Sequence, residues 1–104
     1  MRQQSSKVTP EEILEMRWGF AATRVLVTAV ELGLFDHIAA GKRTASQLAR
    51  AADSSERGVR MLADALVAYG LLRTKGGKYW LAPGTGDVLL KTSDQYLGPS
   101  ILHA

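Results

Sequence analysis

Apolar and polar positions along this chain repeat with helical spacing over most of its length. Thr9-Pro10-Glu11-Glu12 opens the first stretch. Thr9 can cap, Pro10 suits the first helical position because it has no N–H to leave unpaired, and Glu12 supplies the carboxylate of a capping box. The pattern predicts a helix to Leu32, closed by Gly33 in a left-handed turn. A short helix over 34–40 ends at Gly41. Thr44-x-x-Gln47 is a second capping box, heading a helix that carries Leu48 and Ala49. Asp53 with Glu56, or Ser54, starts the next helix, which runs to Tyr69 and stops at Gly70. Val59, Leu62, Leu66 and Tyr69 form its core stripe.

Beyond Gly70 the period changes. Residues 71–74 and 79–81 flank Lys75-Gly76-Gly77-Lys78. Two short strands across a Gly-Gly pair signal a hairpin, because both glycines accept positive φ. Pro83 and Gly84 end it, and further helices are expected over 85–91 and 93–103. Three helices followed by a hairpin make the winged-helix order. The predicted fold is therefore mostly α, a winged-helix-like helical domain with one small β-hairpin wing. Residues 1–9 are expected to be a disordered N-terminal segment, 10–92 the domain, and 93–104 a helix leading away from it.

The first helix is unusual around its girth. Arg17, Arg24, Thr28 and Glu31 fall on one narrow stripe, with Thr23 the one polar residue off it after Arg17. Phe20, Val25, Leu26, Val27, Ala29, Val30 and Leu32 occupy almost all the remaining circumference. A surface helix needs an apolar arc a little over about 100° wide, so an almost wholly apolar one is covered on several sides. Two coverings are open: a partner, most simply a second copy meeting Phe20, Val25, Leu26, Val27 and Val30, or this domain's own core wrapped around the helix.

Composition narrows the function. The chain has 104 residues, 46% hydrophobic and 22% charged, which suits one folded domain. It is too short for a complete doubly wound nucleotide-cofactor enzyme, whose βαβ units take about 30 residues each. Cysteine is absent, which removes disulfides, thiolate metal sites and cysteine nucleophiles. The polar start lacks a signal-peptide core and no apolar run reaches the roughly 18 residues of a membrane span, so a cytoplasmic location and no membrane partner are the expectation. His37 and His103 have no metal-like neighbours in sequence, and His37 beside Asp36 reads as a surface residue. Gly84-x-Gly86 has Leu89 where a dinucleotide loop needs its third glycine, and reads as a turn. The catalytic, cofactor-binding and metal-ligating sets are all empty.

A winged helix raises DNA binding as the alternative, with the helix from about residue 55 to 69 in the major groove. Its exposed Glu56, Arg57, Arg60 and Asp64 sum to zero, and Arg60 is bracketed by carboxylates at i±4. Arg73, Lys75 and Lys78 of the wing are within reach of phosphates, yet a neutralised recognition face suits a polyanion poorly. Nucleic acid is not the expected partner.

Four segments in order carry a resemblance: VLVTAVELGLFDHI from Val25, TASQLARAA from Thr44, RMLADALVAYGLL from Arg60 and KYWLAPGTGDVLL from Lys78. Together they resemble the N-terminal domain of S-adenosylmethionine-dependent O-methyltransferases of the plant-caffeate and bacterial polyketide-tailoring type, over residues 11–103. The resemblance implies a helical dimerisation domain whose paired copies intertwine and help close the acceptor pocket of a catalytic domain. That catalytic domain, with its cofactor-binding sheet and its base, commonly a His, is expected beyond Ala104. S-adenosylmethionine is thus implied for a full-length parent and not for this chain, and His103 is not that base. The implied reaction is methyl transfer to a hydroxyl of a small, aromatic acceptor. Trp18, Phe20, Tyr96 and His103 are candidate pocket walls, with interface core and simple packing as the other reading of the same aromatics.

Overall fold

A computed structural model describes residues 9–102, without the side chains of Glu12, residues 14–18 and Phe20. The expected disordered segment, apart from Thr9, lies outside the described residues, as does His103. Helix α1 (Pro10–Glu31) comes first, with the Thr9 carbonyl accepting from the Ile13 N–H at 3.3 Å. Then follow α2 (Leu34–Ala39), α3 (Ala45–Ala51), α4 (Glu56–Ala68), β1 (Leu72–Lys75), β2 (Lys78–Leu81), α5 (Thr85–Leu89) and α6 (Gly98–Leu102). This is a mostly α domain with a small β wing.

Helix ends follow their capping chemistry. Thr44 Oγ1 accepts from the Gln47 N–H at 3.1 Å, and Gln47 Oε1 accepts from the Thr44 N–H at 3.2 Å, so the capping box at α3 is complete. The start of α4 differs from expectation: Ser55, rather than Asp53 or Ser54, is its N-cap, accepting from the Gly58 N–H at 3.0 Å. Asp53 instead ends α3. Its φ is +51°, and the bonds Asp53 N–H to Arg50 O and Ser54 N–H to Ala49 O close a Schellman turn. Gly70, at φ +83°, closes α4 with the same pair of bonds to Val67 O and Leu66 O.

The core gathers one stripe from each element. On α4, Val59, Ala63 and Leu66 are buried at spacings of four and three. They meet Leu34, Phe35 and Ile38 of α2, Leu48 of α3, Leu72 of β1 and Tyr79 of β2. Each fully buried Leu- or Phe-sized side chain contributes roughly 1.5–3 kcal/mol relative to exposure. Tyr69 was expected in the α4 stripe but is 39% exposed. It is the C-cap residue, where the helix stops, and its ring lies at the core's margin.

The wing is a two-residue hairpin, with Gly76 and Gly77 at φ +58° and +75° and the register Leu72↔Leu81, Arg73↔Trp80, Thr74↔Tyr79, Lys75↔Lys78. A third chain segment joins it. Thr44 bridges Lys78 in antiparallel sense, and the Arg43 carbonyl accepts from the Tyr79 N–H at 2.8 Å.

The helices expected over 85–91 and 93–103 are both shorter. Leu90 is extended, and the Lys91 N–H donates to Asp36 Oδ1 at 3.1 Å, which draws the chain out of α5 and onto α2. Pro99 has no N–H for a helix begun at Ser93, and it sits in the first turn of α6 instead. The Leu97 N–H meanwhile donates to Val88 O at 2.8 Å.

Candidate functional site

Helix α1 packs against α2, α4 and α6. At 22 residues it is about 33 Å long. The chain's radius of gyration is 15.7 Å, against about 13 Å for a compact chain of this length. Its extents of 52 × 31 × 24 Å describe an elongated body. A long helix on a small body leaves surface that the body does not cover.

The two coverings weighed for α1 divide along its length. Ala29 and Val30 are buried in the chain's own core, Val30 at 5% exposure. Val25 and Leu26 pack partly against that core, Val27 is half-buried, and Arg24, Thr28 and Glu31 form an exposed stripe. Of the five residues expected to face a second copy, Val30 is thus taken up internally, while Val25, Leu26 and Val27 remain partly open. The side chain of Phe20 lies outside the described residues.

Beside them is an apolar groove of about 170 Å³, lined by Ala22, Val25 and Leu26 of α1, Leu66 of α4, its C-cap Tyr69, and Leu71. Exposed Tyr69 stands at its edge. Ala22 and Leu71 carried no expectation of a site. Ala22 was legible as the first member of the i, i+3, i+4, i+7 series Ala22, Val25, Leu26, Ala29. Leu71 enters through the α4-to-wing turn, which helical spacing does not register.

Of the candidate pocket aromatics, only Tyr96 has a described side chain. Tyr96 is half-buried, its ring folded over Gly98. The side chain of Trp18, like Phe20 and His103, is not described. His37, expected on the surface, is half-buried, with its ring close to Gly33. Among the described residues no group of three His, Cys, Asp or Glu is placed to hold a metal ion. No helix among them is long and apolar enough to cross a membrane.

Gly84-x-Gly86 forms the turn expected of it. Gly86 packs against Leu90 and Leu81, and Gly84 leads into a five-residue helix after an antiparallel hairpin rather than a βαβ crossover.

The face that DNA would meet is exposed, but three of its charged side chains have partners within the chain. Arg60 pairs with Glu56 at 3.0 Å, as the i±4 spacing predicts. Asp64, expected to pair with Arg60 from the other side, accepts from the Tyr79 hydroxyl at 2.5 Å. Burial, then the hydrogen bond to Asp64 and its negative charge, push the Tyr79 phenol up to about 12 against the opposing pull of Arg60. These groups hold the wing to α4.

Comparison with known proteins agrees with this architecture. The family model of the O-methyltransferase dimerisation domain matches residues 4–92. The 8-O-methyl transferase TcmO of tetracenomycin polyketide synthesis, from Streptomyces glaucescens, is 36% identical over 90 residues, covering 86% of this chain and 26% of TcmO. The N,N-dimethyltransferase OxyT of Streptomyces rimosus is 32% identical over 91 residues, covering 88% of this chain and 26% of OxyT. The structure of PigF with SAH, a Serratia protein, superposes with a TM-score of 0.83 at 28% identity, over 93% of this chain and 32% of PigF. The chain spans about a quarter of the length of the curated relatives it matches.

Proposed function

From the premise that this chain belongs to the O-methyltransferase dimerisation domain family, we propose that it pairs with a second copy through the outer part of α1 and the groove between α1 and α4. One observation carries this reading. The groove formed by Ala22, Val25, Leu26, Leu66, Tyr69 and Leu71 is apolar, open and continuous with a helix longer than its own body covers. Apolar surface of that kind is stabilised when another chain removes it from water.

In the full-length parent the pair holds two S-adenosylmethionine-dependent catalytic units in the cytoplasm, and its helices wall the acceptor site. The acceptor is a small aromatic molecule methylated on a hydroxyl. Support for oxygen comes from the family and from TcmO, whereas OxyT is an N,N-dimethyltransferase, so the acceptor atom varies among relatives of equal coverage. Tyr96 and His103, with Trp18 and Phe20, are the aromatic walls of that site.

Light scattering on the chain at micromolar concentration tests the pairing. The expected result is twice the 11.3 kDa chain mass, with Val27→Asp shifting it toward one copy. A well-folded chain that stays at one mass overturns the reading. For the DNA alternative, a salt-sensitive shift of duplex DNA by the chain is the result that would favour it.

A further inference from the structure

The wing carries a charge pattern that pairing through α1 does not use. Residues 37–52 and 65–86 contain no Asp or Glu, yet hold Lys42, Arg43, Arg50, Arg73, Lys75 and Lys78. All ten carboxylates lie elsewhere. The Thr44↔Lys78 bridge joins the two acid-free segments into one surface.

Register then sorts the hairpin. Successive residues of a strand face opposite ways. Arg73 and Lys75 of β1 share the outward face with their partners Trp80 and Lys78, while Leu72 and Tyr79 are buried. Arg43 reaches over this face, its guanidinium 5.5 Å from the centre of the Trp80 ring and Nη1 donating to Tyr79 O at 3.2 Å. Lys75 and Lys78 stand directly opposite one another, an arrangement that costs stability when nothing neutralises it. Among the described residues none of these cations has an ion pair. Trp80 is 37% exposed in their midst.

Two backbone features complete the surface. β2 has neighbours on both sides, β1 on one side and Thr44 on the other, whereas the outer edge of β1 has no strand beside it among the described residues. An open cleft of about 590 Å³ runs along that edge, bounded by Val67, Gly70, Leu72, Thr74 and Pro83.

We propose that the outer face of the wing and the free edge of β1 dock an extended, acidic segment of a partner protein. Strand addition supplies main-chain hydrogen bonds from β1, and alternate carboxylates of the incoming strand meet Arg73, Lys75 and Lys78. Charge favours a short protein segment over duplex DNA. A stiff duplex spans more of this surface than a single strand does, and α4, which packs on β1, exposes Glu56 and Asp64 to it. Lysines on an edge strand also serve to block aggregation without binding anything, and the experiment separates the two roles. The inference is independent of pairing through α1.

The probe is a fluorescein-labelled peptide of alternating Glu and Thr, read by anisotropy against the full chain at low salt. The expected result is saturable binding that Lys75→Glu/Lys78→Glu weakens by about tenfold and Trp80→Ala by about threefold. Arg57→Glu/Lys91→Glu, away from the wing, changes it less than about twofold. Circular dichroism of each variant reports whether the fold is kept, and the substituted side chains are exposed. The proposal is overturned if the peptide does not bind, if the control variant weakens binding as much as the wing variant, or if a short duplex DNA binds more tightly than the peptide.

Discussion

The hydroxyl of Tyr79 donates to Asp64 Oδ1 at 2.5 Å, across 15 residues of sequence, and fastens the wing to α4. The two ends of this bond are in different surroundings. Tyr79 is 4% exposed, while Asp64 is exposed. Removing one partner therefore differs from removing the other. Tyr79→Phe leaves a carboxylate that water can solvate, and is expected to cost about 0.5–1 kcal/mol. Asp64→Ala leaves a buried hydroxyl without its acceptor, and is expected to cost about 1–3 kcal/mol. Urea unfolding of both variants checks the order, and an equal loss would contradict it.

The same bond makes stability depend on alkaline pH. The phenol titrates near 10 when unfolded and is pushed up to about 12 when folded. A folded-state value above the unfolded one means the contribution is complete below pH 10 and is lost as pH rises from 10 through 12. Tyr79→Phe lacks this component. The difference in stability between wild type and variant is expected to shrink across that window, read by unfolding at fixed pH values.

Asp53 is the one described non-glycine residue at positive φ. It holds the position after α3 that Gly70 holds after α4, so glycine there removes a side-chain strain without removing a cap. Asp53→Gly is expected to stabilise by about 0.5 kcal/mol, and Asp53→Val to destabilise by more than about 1 kcal/mol. Thermal unfolding of the pair is the measurement; a stabilising valine would be inconsistent with the left-handed backbone.

Local chemistry was legible in the sequence, and long-range geometry was not. The Thr44–Gln47 box, the Gly76-Gly77 hairpin and the α4 stripe each depend on neighbours within four positions of one another; the box and the hairpin are present, and the stripe is buried at Val59 and Leu66 but not at Tyr69. An Asp before a helix usually caps it, whereas here the preceding helix ends two residues earlier, at Ala51, and claims Asp53 for its own turn. Asp64 was placed beside Arg60 by helical spacing, but a buried tyrosine 15 residues away offers a stronger partner. The girth of α1 was read as surplus. Val25, Leu26 and Val27 are half-buried, whereas Val30 is enclosed in the chain's own core, a burial that only the tertiary fold reveals. The groove needed Leu71, whose side of the turn no periodicity specifies.

Gly98 and Tyr96 occupy one another's space. A Cβ built on Gly98 would fall within the Tyr96 ring. Since those ring atoms are the far end of a side chain, Gly98→Ala is expected to turn Tyr96 outward rather than break the backbone. The loss is then that of Tyr96 packing, about 1 kcal/mol. Gly98→Ala and Tyr96→Ala should not add: the double variant is expected to match Tyr96→Ala alone. Additive losses in urea unfolding would show that the glycine is needed for another reason.

Pairing can be separated from folding by two substitutions near α1. Val30 is 5% exposed within its own core, so Val30→Asp buries an unpaired charge and is expected to unfold the chain, with a loss above about 4 kcal/mol. Loss of pairing in that variant would say nothing about an interface. Tyr69 is 39% exposed at the lip of the α1–α4 groove. Tyr69→Asp sets a solvated carboxylate where a second copy must exclude water, at less than about 1 kcal/mol to the single chain because the site is open. Circular dichroism should therefore show a folded Tyr69→Asp chain while light scattering reports one copy instead of two. A folded Tyr69→Asp variant that still pairs as tightly as wild type would move the interface away from this groove and onto the remaining face of α1.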